Sequence, residues 1–207
     1  MIDIRELGTL QLDALREVAN IGAGHAATAL SQLTRQRIML NVPQIRVVRL
    51  EEVAELTGVP DEAVAAVVMQ VLGDLTGRAV QVFPGPTAQW IAEALLNRQG
   101  ISFPDGFGEM EQSALKEAAN ILGAAYLSAL SDFLGLLVLT SVPSLALDMA
   151  AAALTSGYLA TGQLDEYVFC IETLFRVDEL RNPLHAHFLL LPDSPSLEVI
   201  LRSVRMA

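Results

Sequence analysis

The sequence predicts an α/β fold of the α+β kind: duplicated half-domains with pseudo-twofold symmetry, in which a mainly antiparallel sheet packs against two long motif-bearing helices. Three observations predict it. The stretch "DALREVAN", from Asp13 to Asn20, returns a hundred residues later as "SALKEAAN", from Ser113 to Asn120. The copies run on alike, as "NIGAGHAATALSQL" from Asn20 and "NILGAAYLSALSDF" from Asn120. Behind each copy lie short apolar segments joined by turn residues, the pattern of hairpins and hence of antiparallel strands. A repeat of about a hundred residues is too long for a solenoid unit. It reads as one domain over residues 1–207, with halves of about 1–99 and 108–207.

Residues from about Leu10 to Leu33 keep a helical apolar rhythm without proline. The chain then turns β-like in "LTRQRIMLNVPQIRVVRL", with Pro43 between two short strands. From Ala63 the run "AVAAVVMQVLGDLTGRAVQVF" predicts two strands joined at the turn "GDLTG". The segment "PGPTAQWIAEALLN" opens with proline and a Thr in a cap-like position, and predicts a helix to Asn97. A Gly-, Pro- and Asp-rich linker, "RQGISFPDGFGE", divides the copies. The second half predicts a helix from about Met110 to Phe133, a short strand in "LLVLTSV", strands in "EYVFCIETLFRVD" and "HAHFLLL", and a closing helix in "PDSPSLEVILRSV". After Pro143 the segment "SLALDMAAAALTSG" predicts an extra helix, where "QIRVVRLEEVAEL" follows Pro43.

Composition narrows the function. With 52% hydrophobic and 18% charged residues the chain has what a packed core needs. Twenty-four acidic residues against thirteen Lys and Arg give a formal charge of -11, which repels a phosphate backbone and argues against nucleic acid as a partner. The start "MIDIREL" lacks the features of a signal peptide, and the apolar run "FLGLLVLTSV" is too short to cross a bilayer. A cytoplasmic protein without membrane insertion is expected. The single cysteine, Cys170, lies in an alternating strand and is expected to be a buried structural thiol.

Positions spaced four, three and four apart fall within a narrow arc of a helix that turns about 100° per residue. Asp13, Glu17, Asn20 and Gly24 therefore share one face, and Ser113, Glu117, Asn120 and Ala124 share its counterpart. Leu15, Val18, Ala19 and Gly22, and in the second copy Leu115, Ala118, Ala119 and Leu122, lie opposite, where a helix rests on a sheet. Asn is a poor choice for a helix interior, yet it stands there twice, and each time a proline follows at the same spacing, Pro43 and Pro143. The small residue one turn beyond each Asn leaves room for another surface to approach.

An Asn and a Glu one turn apart make neither a nucleophile nor a metal site. His25, His185 and His187 occupy dissimilar places, and although the last two share a strand face they lack a third ligand, so no metal site is expected. No phosphate-binding loop of the Walker type is present, and the "GAG" at Gly22 lies inside a helix. What remains is an amide that can orient a water and a carboxylate that can pair with a cation. Such a pair suffices when the substrate is a protein bringing its own Mg²⁺ and a labile acyl phosphate. Placing the attacking water through a side-chain amide is a device of GTPases.

These residues resemble the CheC/CheX/FliY family of chemotaxis phosphatases, whose site is written D/S-x3-E-x2-N-x22-P. The sequence fits it twice, at Asp13, Glu17, Asn20 and Pro43 and at Ser113, Glu117, Asn120 and Pro143. Two intact sites on a chain of this length look like the CheC branch. The resemblance implies hydrolysis of the aspartyl phosphate of phosphorylated CheY, with Mg²⁺ on the receiver and no cofactor of the protein's own. It implies that Glu17 and Glu117 dock against the receiver's active-site lysine and that Asn20 and Asn120 orient the water. Asp13 and Ser113 would edge that face, and the prolines would shape the chain beside it. The resemblance also implies binding of the receptor deamidase CheD through the helix expected after Pro143, with Asp148 as the contact. An adaptor that binds CheD or phosphorylated CheY without catalysis is the alternative. A small-molecule phosphatase stands third, since only Arg16 and Lys116 bring cations to the motif, and solvated helix flanks are the simpler reading of both.

Overall fold

The computed structural model describes residues 7–49, 52–56, 62–150, 152, 167–178 and 180–206. Helix α1 (Thr9–Thr34) opens the first half and α4 (Glu109–Leu134) the second. Each begins after a glycine whose N–H donates to a side chain three residues on, Gly8 to Gln11 Oε1 at 2.9 Å and Gly108 to Glu111 Oε2 at 3.1 Å. Each ends on a left-handed residue, Arg35 with φ 56° and Gly135 with φ 66°. The same helix is thus bounded by the same devices twice.

Strands β1 (Ile38–Asn41) and β2 (Ile45–Arg49) follow α1, then a short helix α2 (Val53–Leu56), the hairpin β3 (Ala63–Gly73) and β4 (Gly77–Pro84), and helix α3 (Gly85–Leu96). The second half repeats this with β5 (Val138–Thr140), β6 (Ser144–Met149), β7 (Tyr167–Val177), β8 (Leu184–Pro192) and a closing helix α5 (Ser194–Met206). All pairings are antiparallel in a sheet ordered β1-β7-β8-β4-β3-β5, with β2 also on β7 and β6 also on β3. The halves exchange strands. β1 and β2 of the first half lie on β7 of the second, and β5 and β6 of the second lie on β3 of the first.

Two sequence expectations are corrected, and the linker between the halves proves to be packed. The segment after Pro143 is not a helix from its start: Ser144–Met149 is strand β6, registered against β3 with Asp148 opposite Val64, and only Ala150 begins helical structure. The run is rich in Ala and Leu, but β3 offers it an open edge, and pairing overrides propensity. Both prolines are therefore followed by a strand. Of the remaining residues of that expected helix only Ala152 is described; Ala151 and residues 153–157 lie outside the described residues. Thr87 is not a cap. It is buried inside α3, whose N-cap is Pro84, and its hydroxyl donates to the His185 carbonyl at 2.6 Å. The linker between halves is packed: Glu93 Oε1 accepts from the N–H groups of Gly100 and Ile101, and Phe103 meets Phe107 edge to face.

Helices α1, α3, α4 and α5 lie on one face of the sheet over a core that includes Phe83, Leu115, Leu122, Phe175 and Phe188. A smaller apolar cluster, with Val64, Val82, Cys170 and Leu189, occupies the other face. Where α1 crosses α4, a Cβ on Gly22 would stand 2.8 Å from the Ala125 carbonyl oxygen and 3.0 Å from Tyr126 Cα. The crossing is that close because Gly22 has no side chain.

Candidate functional site

The Asp or Ser, Glu and Asn of each motif lie on the outer faces of α1 and α4, and Pro43 and Pro143 lie in the connections after β1 and β5. Asp13, Glu17 and Gly24 are exposed and Asn20 half-buried; Ser113 and Glu117 are exposed, and Asn120 and Ala124 half-buried. The opposite faces are sealed in the core, Leu15, Val18, Ala19 and Gly22 on α1 and Leu115, Ala118, Ala119 and Leu122 on α4. A Cβ on Gly24 would meet nothing within 4 Å. Among the described residues, Glu17 and Glu117 make no hydrogen bond or ion pair.

The spacing from Asn to Pro now has a physical cause in the first copy. Asn20 Oδ1 accepts from the Val42 N–H at 2.9 Å, and Nδ2 donates to the Val42 carbonyl at 3.4 Å and to the Arg16 carbonyl at 3.1 Å. The side-chain amide thus stands in for a strand partner of the residue just ahead of Pro43. It latches the chain leaving β1 onto the helix face. Val42 is 3% exposed.

The second copy is open at the same place. Asn120 makes no hydrogen bond among the described residues, and Val142, ahead of Pro143, is 89% exposed. The flanks differ too. Arg16 pairs with Asp13 at 3.1 Å, whereas Ser113 replaces that carboxylate and Lys116 has no partner among the described residues. One face holds its amide and cation in use; the other holds both free.

Neither of the two main concavities is lined by a motif residue. One is apolar and lies under the helices, between Leu15, Tyr126 and Phe188. The other is polar, on the far face of the sheet, lined by Gln44, Arg46, Cys170, Glu172 and His187. Asp13, Glu17, Asn20, Ser113, Glu117 and Asn120 line neither of them. Among the described residues no group of His, Cys, Asp and Glu could hold a metal ion, and no helix is long and apolar enough to cross a membrane.

A family model described as the CheC-like family matches residues 10–46 and 110–147, the two motif helices through their prolines. The CheY-P phosphatase CheC of Bacillus subtilis (strain 168) is 35% identical over 91% of this chain and 90% of its own. The chain belongs to the CheC-like family. The putative CheY-P phosphatase CheC1 of Halobacterium salinarum is 28% identical over 70% of this chain and 70% of its own. The crystal structure of Thermotoga maritima FliY shares the fold at TM-score 0.78 and 20% identity, covering 97% of this chain and 98% of that one.

Off the motif faces, the CheC-like chain carries the histidines and the cysteine as separate features. His25 is exposed. His185 Nδ1 lies 3.2 Å from Glu172 Oε1, and Gln44 Nε2 donates to Glu172 Oε2 at 3.2 Å. Burial pushes the Cys170 thiol up to about 12, which makes it inert. His187 is 7% exposed and its Nδ1 has no hydrogen-bond partner among the described residues, and burial lowers its pKa from 6.5 against the opposing pull of Glu172. The unfolded chain protonates this imidazole below about pH 6.5 while the folded chain resists. Its contribution to stability is therefore complete above that pH and is lost as pH falls from there toward the lowered folded value. Denaturant midpoints measured from about pH 8 down to about pH 5 should fall on the acid side, and His187→Phe should flatten that fall.

Proposed function

We propose that this chain hydrolyses the aspartyl phosphate of phosphorylated CheY. The observation that carries the reading is the half-buried Asn120 amide one turn from an exposed Glu117 on a helix face, neither with a hydrogen-bond or ion-pair partner among the described residues. The receiver supplies the electrophile and its Mg²⁺. Glu117 docks against the receiver's active-site lysine, and the Asn120 amide holds a water in line with the phosphorus, its carbonyl oxygen accepting a hydrogen bond from the water so that the water's lone pair points at the phosphoryl group and both water protons leave with the phosphate. The P–O bond to the aspartyl carboxylate breaks as the water oxygen bonds to phosphorus, leaving a free carboxylate and inorganic phosphate. One such positioned group contributes about 10²–10³ in rate. Glu17 and Asn20 form the corresponding pair on α1, once the amide is released from Val42. The whole chain acts as one unit, with Asp13 and Ser113 at the edges of the two faces and Pro43 and Pro143 shaping the chain beside them.

The test mixes the protein with phosphorylated CheY and Mg²⁺ and follows loss of the aspartyl phosphate, for the wild type and the Asn20→Ala, Asn120→Ala double variant. Acceleration present in the first and lost in the second supports hydrolysis; no acceleration with binding intact leaves an adaptor. A second role, binding of the receptor deamidase CheD, is favoured by the exposure of Asp148 and Met149 at the end of β6, a strand paired with β3 and with no other strand among the described residues. Asp148→Lys should weaken capture of CheD and leave hydrolysis unchanged.

A further inference from the structure

We infer that Lys116 is a substrate-binding residue of the second face, contacting the anionic rim of the receiver's phosphoryl pocket, and that Ser113 frees it for that work. The inference deepens the phosphatase reading and rests on it. Residues three and four apart on a helix are neighbours, so position 16 or 116 touches position 13 or 113 on one side and the motif Asn on the other. On α1 the neighbour at 13 is a carboxylate, and Asp13 holds the Arg16 guanidinium at 3.1 Å. On α4 the neighbour is Ser113, which makes no hydrogen bond among the described residues and cannot neutralise an ammonium. Lys116 is half-buried on the same helix side as Asn120, with no ion pair among the described residues. In a chain with a formal charge of -11, a cation beside the amide, each without a partner among the described residues, is a local attraction for an aspartyl phosphate, which is itself anionic.

A cation at the rim of a docking face acts on encounter and on salt dependence more than on the chemical step. Five proteins separate the possibilities: the wild type, Asn20→Ala as the background that isolates the second face, and that background with Lys116→Gln, Ser113→Asp or Arg16→Gln. Steady-state hydrolysis of phosphorylated CheY is read at low and at high salt. Lys116→Gln should raise KM about fivefold at low salt, leave kcat within about twofold, and flatten the salt dependence. Ser113→Asp should reproduce this by rebuilding the ion pair found on α1, and Arg16→Gln should change nothing. A Lys116→Gln protein with unchanged KM and salt slope, or one that loses kcat alone, overturns the inference while the phosphatase reading stands. Failure of the Asn20→Ala background and of the wild type to hydrolyse the phosphate overturns that reading instead, and the inference with it. All three added substitutions lie on the outer helix face, and thermal melts identify any that unfold.

Discussion

Asn120→Ala is expected to lower the hydrolysis of phosphorylated CheY by about a hundredfold, close to the level of the double variant, whereas Asn20→Ala costs about twofold. The reason is the state of the two amides. Asn120 is free to hold a water, and Asn20 already spends both ends of its amide on Val42 and a further bond on the Arg16 carbonyl. Stability should divide the opposite way. Removing Asn20 strips the buried Val42 N–H of its acceptor, which costs about 1–3 kcal/mol, while Asn120→Ala should melt with the wild type. Val42 is 3% exposed, so water cannot readily replace the lost partner. Equal losses of rate at both positions, or an Asn20→Ala protein with an unchanged melting temperature, would contradict this division of labour. The latch also explains why a proline belongs after position 42. Pro43 fixes the backbone beyond the clamped peptide, and it has no N–H that would need an acceptor there.

The parts of the fold that were legible in the sequence are those set by local periodicity. The helices α1 and α4, the hairpin at "GDLTG" and the alternation around Cys170 each follow from residues that are neighbours in the chain. The parts that were not legible depend on a distant partner. Nothing in "SLALDM" says that β3 has an open edge for it, and its Ala and Leu favour a helix when read alone. The exchange of β1 and β2 onto β7 is likewise invisible in a repeat, because duplicated letters do not tell whether a strand pairs within its own copy or across. The motif residues stood out by their spacing. Their inequality did not, since the latch is made by the backbone of Val42, and the second copy has the same Val-Pro pair in a different state. The one visible sign was Asp13 becoming Ser113, a difference that the family pattern allows and so conceals.

Two glycines on α1 should respond to substitution in opposite senses, and the contrast tests how the motif faces are held. At Gly22 a Cβ meets backbone, the Ala125 carbonyl at 2.8 Å and Tyr126 Cα at 3.0 Å, so no rotamer change relieves it. Tyr126 cannot yield easily either: it is 3% exposed, hydrogen-bonded to Thr173 Oγ1 at 2.6 Å and tilted against Phe188. Gly22→Val must therefore push α1 away from α4, at a cost of about 1–3 kcal/mol or more. Gly24, two residues on, faces open space, and Gly24→Ala should gain up to about 1 kcal/mol from helix propensity. Activity then adds a second axis. If the two helices must keep their spacing for the second face to meet its receiver, Gly22→Val lowers hydrolysis even at temperatures where the protein remains folded, and Gly24→Ala does not. A Gly22→Val protein that melts early yet hydrolyses at the wild-type rate while folded would show that each face works alone. The helix crossing would then serve the core, and the substrate would be recognised by one helix and the strands beside it.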